Sequence, residues 1–360
     1  SPRAGIFGDG TLQAELDEDE PWGTVVIPED TTVQVNSTTT YATNHITVVG
    51  YGYNSVIEST ITDGSNVIEP AAGNLSELTF ANFRIEGTGS EGDALKLADS
   101  LGRNDIRNIY VGTESSIGGA AFNLESCINT LLDNVYGANS TDGLLLDRRN
   151  GGTTITVRNS SFRLNDRGVR ITSSDTQPYK GVTFRNCLFE SNDRAGLYSR
   201  GVKRFVMEDC WFENNNASAS GEDASVILTE EDAAGGNRWF THNNFSAAGN
   251  ITDAIRFPVS GENHYGLVIE DNVLGALDID LNGVSALDTN NLLTWVGRNF
   301  SPGTFKNMPE YIDTNSYIGQ QAAGAGNSPS GEWPTGALVE NTDDNTLWWL
   351  DNTGAWRQLV

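Results

Sequence analysis

Val182-Thr183-Phe184-Arg185-Asn186-Cys187-Leu188-Phe189 is answered 23 residues later by Val206-Met207-Glu208-Asp209-Cys210-Trp211-Phe212. Both stretches alternate apolar residues, reach an Asn or Asp, and place an aromatic residue three positions further on. Earlier copies are Leu78-Thr79-Phe80-Ala81-Asn82, Ile106-Arg107-Asn108, Leu132-Asp133-Asn134 and Ile155-Thr156-Val157-Arg158-Asn159. Later copies are Phe240-Thr241-His242-Asn243-Asn244-Phe245 and Val268-Ile269-Glu270-Asp271. The marked positions 82, 108, 134, 159, 186, 209, 242 and 271 are spaced by 26, 26, 25, 27, 23, 33 and 29 residues. A second phrase runs in step: Ala94-Leu95-Lys96-Leu97, Ala121-Phe122-Asn123-Leu124, Gly143-Leu144-Leu145-Leu146, Gly168-Val169-Arg170-Ile171, Gly196-Leu197-Tyr198, Ser225-Val226-Ile227-Leu228, Ala254-Ile255-Arg256-Phe257 and Leu277-Asp278-Ile279.

Each period therefore holds two or three short alternating strands with turn residues between them and no helical spacing. Such strands cannot bury a face alone, but stacked coils form one continuous core. A β-only period near 25 residues points to an all-β right-handed parallel β-helix solenoid. A leucine-rich repeat would need an L-x-x-L-x-L signature, and a propeller blade needs about 40 residues or more. The recurring Asn suits bends in the left-handed region and can bond its counterpart on the next coil. A second column, Asn165, Asn192 and Asn215, invites the same reading. Phe162, Phe189 and Phe212 recur at marker +3 and should stack inside, and Trp211 and Trp239 are assigned to the core.

The 360 residues contain 22 Lys+Arg against 48 Asp+Glu, a net charge of −26. Only Lys96, Lys180, Lys203 and Lys306 are lysines. That surface repels phosphate backbones and anionic lipid, which argues against nucleic-acid and membrane-surface partners. No run of about 18 apolar residues is present to cross a membrane. High acidity with scarce Lys suits a salt-rich host, because the Debye length shrinks to roughly 3 Å at 1 M salt. Cys127, Cys187 and Cys210 have neither a disulfide framework nor metal-ligand spacing and read as buried hydrophobes. Ser1-Pro2-Arg3-Ala4-Gly5 lacks an apolar h-region, which fits either a signal peptide already removed or a part assembled inside the cell that makes it.

Trp22-Gly23-Thr24-Val25-Val26-Ile27-Pro28, followed by Ile46-Thr47-Val48-Val49-Gly50-Tyr51-Gly52-Tyr53-Asn54-Ser55-Val56-Ile57, resembles the opening coils of pectate-lyase-like β-helix proteins, an opening shared by viral tailspikes. The upstream segment Thr11–Glu20 is shorter than is usual there, implying a reduced cap. Gly336-Ala337-Leu338-Val339-Glu340-Asn341-Thr342-Asp343-Asp344-Asn345-Thr346-Leu347-Trp348-Trp349-Leu350-Asp351 resembles a short module of virus tail-fibre and other virion proteins. It departs from that module at Asn352-Thr353-Gly354, where Asp-Gly is common. The expected organisation is an N-terminal segment at 1–21, the β-helix at 22–318, a flexible linker at 319–331 and a small β-meander at 332–360. A meander of that size should dock or oligomerise.

Candidate chemistry falls on one edge of adjacent coils. Arg163, Glu190 and Glu213 stand at marker +4, with Asp166-Arg167 and Asp193-Arg194 at +7 and +8. Coils stack about 4.8 Å apart, so each set forms a surface column. Glu190 and Glu213 can approach the ~5–5.5 Å carboxyl separation of a retaining glycosidase, or pair with Asp166 or Asp193 in an inverting arrangement. Arg163, Arg167 and Arg194 could bind a ligand, or assist a lyase using Mg²⁺ or Ca²⁺. The competing account is an alternating-sign ladder that keeps an acidic solenoid in solution. His45, His242 and His264 lie on separate coils without a nucleophile motif. Asp17–Glu20 and Asp343-Asp344 are loose cation candidates without a calcium-loop signature, so no metal ligands are assigned. Trp348 and Trp349 face opposite ways, leaving one for a partner.

Together these readings describe a virion spike, fibre or capsid-turret subunit from a virus of a halophilic host. As a homotrimer joined to other virion proteins, it would present a rigid rod to host-surface glycans or glycoproteins. The alternatives are a polysaccharide lyase or glycoside hydrolase acting on cell-surface glycans, and a secreted glycan-binding protein.

Overall fold

A computed structural model describes residues 4–6, 11–17, 21–147, 152–172, 178–229, 235–258 and 264–281. Beyond these it describes 295–297, 299, 305–306, 318–321, 328, 338–341, 346–350 and 355–358. The chain winds as a parallel β-solenoid. A typical coil carries a first strand, Thr153–Arg158, a second, Ser161–Arg163, and a third, Arg167–Ile171. Each pairs in parallel with its counterpart one coil on: Tyr179–Arg185, Leu188–Glu190 and Leu197–Arg200. Alternation decides which side chains enter. In Thr153–Arg158, Ile155 and Val157 are buried while Thr154 and Arg158 face solvent.

The core continues through the stack. Phe162, Phe189, Phe212 and Phe245 run coil to coil with centroid separations of 5.9, 4.5 and 4.8 Å. Cys127, Cys187 and Cys210 are buried free thiols among these side chains.

Corners between strands repeat as well. All eight marked positions have positive φ, from 50° at Asn186 to 60° at Asn82. Asn108 Nδ2 donates to Asn82 Oδ1 at 2.7 Å, Asn134 to Asn108 at 2.8 Å and Asn186 to Asn159 at 2.9 Å, while Asn159 turns to Asp133. A second corner, near the start of each first strand, was not anticipated. Register places Trp22, His45, Glu77, Arg103, Asn129, Thr154, Gly181, Arg204 and Asn237 in one column, and every φ there lies between 42° and 75°.

The column Asn165–Asn192–Asn215 is buried, as expected. Asn165 Nδ2 donates to Asn192 Oδ1 at 3.2 Å, and Asn192 Nδ2 to Asn215 Oδ1 at 2.8 Å. Gly143 and Gly168 enter the third strand beside it. A Cβ on Gly168 would lie 2.4 Å from the Gly196 carbonyl oxygen, so the column stays glycine. A further buried ladder, Asn243–Asn272–Asn299 at 2.9 Å per step, continues the Cys187–Cys210 position and lay unread in the sequence.

At the N-terminal end the short helix Leu12–Asp17 buries Leu12 and Leu16. Gln13 Nε2 donates to Thr40 O at 3.0 Å and Gln13 Oε1 accepts from Thr40 N at 2.7 Å, satisfying the exposed edge of Thr39–Tyr41. At the other end Leu338–Asn341, Thr346–Leu350 and Trp356–Gln358 form the antiparallel meander. Ile318–Gln321 adds to it in parallel, so the sheet reaches across the expected 318/319 boundary. Half-buried Trp356 packs against the solenoid core. Among the described residues, no helix is long and apolar enough to cross a membrane.

Candidate functional site

The second strands turn every other side chain outward, and register fixes two rows. Tyr110, Tyr136, Ser161, Leu188 and Trp211 follow one another coil by coil. Two residues along lies the row Ala138, Arg163, Glu190 and Glu213. Arg84 precedes Tyr110 in register, the Tyr53 ring packs 5.4 Å from Tyr110, and Tyr110 lies 6.4 Å from Tyr136. The Arg84 guanidinium sits 4.4 Å over Tyr53 and pairs with Glu114 at 2.5 Å. Trp211 is 47% exposed and Trp239, on the outer side of a first strand, 52% exposed. This corrects their assignment to the core. In Cys210-Trp211-Phe212 and Arg238-Trp239-Phe240 the flanking residues point inward, so alternation puts each Trp in solvent.

Glu190 pairs with Arg163 at 3.4 Å and is the cross-strand partner of Glu213, the stacking expected of that column. Arg163 Nε and Ser161 Oγ, on the same outward face, are buried without a hydrogen-bond partner. Burial pushes the Tyr136 phenol upward, opposed by neighbouring Arg163.

Around the next corner, Asp166 meets Arg194 Nε at 2.9 Å and Arg167 Nη1 at 3.5 Å. Arg167 reaches Glu222 through Nη2 at 2.5 Å and Nε at 3.2 Å, and Arg194 Nη1 lies 3.5 Å from the same carboxylate. Asp193 is exposed, and its backbone rather than its carboxylate makes the bonds seen here, to Asn165 and Ser218. Arg167 also lies 5.4 Å from the Tyr198 ring.

Sequence reasoning missed three members of this edge. Asp142, paired across strands with Arg167, is 1% exposed and accepts from Arg170 Nε at 2.9 Å and Nη2 at 2.6 Å. Its Oδ1 has no hydrogen-bond partner, and burial raises its pKa against the pull of Arg170. Glu222 comes from the loop before Ala224–Thr229. The 33-residue interval between markers 209 and 242 was the available signal of a coil with extra chain.

Trp348 is half-buried on its strand, and the Trp349 side chain falls outside the described residues, as do residues 18–20 and Asp343-Asp344. Among the described residues no three or more His, Cys, Asp or Glu gather as a metal site would require. His45 stacks on Trp22 at 3.8 Å and bonds Glu77 at 2.9 Å. A polar pocket of about 170 Å³ lies between Glu69, Lys96, Asp99 and Glu125, where Lys96 and Glu125 pair at 2.9 Å.

No protein-family model and no curated protein matches the chain. Among solved structures, ORF18 of Geobacillus virus E2 aligns with a TM-score of 0.59 at 14% identity, covering 99% of this chain and 84% of its own. The alginate lyase of Paenibacillus sp. strain FPU-7 aligns at 0.51 and 12% identity, over 84% of this chain and 95% of its own. The catalytic domain of a GH87 α-1,3-glucanase, solved with tetrasaccharides, aligns at 0.51 and 12% identity, over 88% and 68%. At such identities the likeness is one of fold: this chain is a parallel β-solenoid, an architecture it shares with a phage protein and with polysaccharide-degrading enzymes.

Proposed function

We propose that the chain is a virion-surface β-solenoid that recognises host glycans, working as a homotrimeric spike, fibre or turret subunit alongside other virion proteins. The observation that carries this reading is the outward face of the second strands. Half-buried Tyr110 and Tyr136 and exposed Trp211 line up there on a rigid sheet, an arrangement suited to holding a ligand. Two of the four expected acids are held in ion pairs, Glu190 with Arg163 and Asp166 with Arg194 and Arg167, as in a surface ladder. The extent of the likeness to the phage protein supports the same reading.

Cleavage of a cell-surface polysaccharide is the second reading, favoured by Asp142, a buried carboxyl with a raised pKa beside Arg170. Binding to host-envelope polysaccharide, combined with an assay for new reducing ends or unsaturated uronates, separates the two. Under the proposal Glu190→Gln and Glu213→Gln bind as the parent does and no cleavage is seen. Cleavage that disappears in either variant or in Asp142→Asn would replace the binding role with an enzymatic one. Light scattering in high salt is expected to report a trimer; a monomer would count against the spike.

A further inference from the structure

We propose that Cys187 and Cys210 form a reversible disulfide that staples two neighbouring coils once the chain meets oxidising surroundings. Sequence spacing gives these cysteines no framework, but the parallel stack brings them together. Trp211 N donates to Cys187 O at 2.8 Å, just as Leu188 N donates to Ser160 O at 2.9 Å and Asn244 N to Cys210 O at 2.8 Å. Ser160, Cys187, Cys210 and Asn243 therefore occupy one position on four successive coils.

Side chains at that position run along the solenoid axis. Ser160 Oγ accepts from Val135 N at 3.1 Å, Asn243 Oδ1 from Cys210 N at 3.0 Å and Asn272 Oδ1 from Asn243 N at 2.9 Å, so each reaches the coil before it. The Cys210 thiol follows suit: burial pushes its pKa well up, and hydrogen bonding with the Cys187 side chain adds to the rise. Coils about 4.8 Å apart put the two Cα atoms inside the roughly 4.4–6.8 Å that a disulfide spans. Both residues precede a second strand rather than lie within one, which leaves the backbone freedom to seat the bond. Cys127 stands at a different corner, where its thiol bonds the Leu97 and Glu125 carbonyl oxygens, and is the internal control.

The reaction is exchange with a small disulfide such as oxidised glutathione. One cysteine loses its proton to solvent, and its thiolate attacks a glutathione sulfur and expels one glutathione thiolate. The second cysteine then attacks the mixed disulfide and expels the other, so two protein thiols are oxidised as one glutathione disulfide is reduced. Cys187 and Cys210 are 2% and 1% exposed, so exchange proceeds while the coils form or open. A reducing cell interior keeps the pair as thiols, and the oxidising exterior closes it. The crosslink requires neither a glycan nor a virion. It ties the second strand that carries Glu190 to the one that carries Glu213.

Refolding the full chain from urea with reduced or oxidised glutathione, then denaturing it and alkylating the remaining thiols, tests the inference. The chain has three cysteines, so three labels are expected after reducing refolding and one, at Cys127, after oxidising refolding. Trypsin should then release Asn186–Arg194 joined to Phe205–Arg238. Closing the loop between the two cysteines should raise the melting temperature by about 4 °C. Dithiothreitol should reverse that rise, and Cys187→Ser should lack it. Cys127→Ser should still form the link, so the outcome does not hang on the folding of one variant. Three labels after oxidising refolding overturn the inference, as does a link through Cys127 or a glutathione adduct left on either cysteine. A crosslinked chain that melts no higher than the reduced one refutes the stapling.

Discussion

Asn192→Ala should be among the most damaging single substitutions in the solenoid. Asn192 is fully buried at the corner that joins the Glu190 row to the Asp193-Arg194 edge. Its amide makes four bonds: Oδ1 accepts from Asn165 N at 3.1 Å and Asn165 Nδ2 at 3.2 Å, while Nδ2 donates to Phe162 O at 3.1 Å and Asn215 Oδ1 at 2.8 Å. Alanine leaves all four partners wanting inside a tightly packed corner. At roughly 1 kcal/mol for each net bond, the loss is about 4 kcal/mol, before any relief from a trapped water. Asn186→Gly is the internal control. Asn186 is exposed, makes one side-chain bond to Asn159 and sits at φ 50°, which glycine tolerates, so its loss should stay below about 1 kcal/mol. Urea unfolding followed by far-ultraviolet circular dichroism reads both variants on one scale. With an unfolding entropy of roughly 2.1 cal/mol/K per residue over 360 residues, Asn192→Ala should melt about 5 °C below the parent. If Asn192→Ala lost no more stability than Asn186→Gly, the buried amide column would not be what holds this corner, and the reasoning would fail.

Thr154 is β-branched, exposed and held at φ 57°; Thr154→Gly relieves that strain for less entropy than it releases and should stabilise by about 0.5–1 kcal/mol, with a lowered melting temperature as the contrary result. Asp133 and Asp223 are held below the usual carboxylate range, first by their hydrogen bonds to Arg158 and Arg256. Their stabilisation is therefore present above about pH 4 and lost as pH falls further. Asp142 has the opposite sign: burial raises its pKa, so its ionisation weakens the fold as pH rises above about 4. Asp142→Asn should accordingly show a flatter melting profile as pH rises above about 4, and an unchanged profile would contradict the assignment. Lowering salt to about 0.1 M, where the Debye length is near 10 Å, should depress the melting temperature through repulsion between stacked acidic columns; indifference to salt would remove the halophilic part of the account.

Much of the scaffold was legible because its rules are local. The Asn markers announced bends, and the Phe162–Phe189–Phe212 column announced the core, since both depend only on residue type and period. Trp211 and Trp239 were misassigned by weighing aromatic character above alternation, although each lies between two inward-facing neighbours. The corner occupied by Trp22, Glu77, Arg103, Thr154 and Arg204 left no trace in composition. Those side chains are not ones that seek positive φ; the parallel stack imposes one backbone path on every coil.

The candidate site divides along the same line. By itself the sequence determined the period, the inward and outward faces, and the columns that bring Arg163, Glu190 and Glu213 into register, because a β-strand alternates with period two and a solenoid repeats it. Tertiary structure alone decided who pairs with whom. Arg167 finds Glu222 55 residues away and Asp142 is buried beneath Arg170 from the following coil. Loop length and the packing between coils set those distances, and neither is encoded in the local pattern of apolar and polar residues.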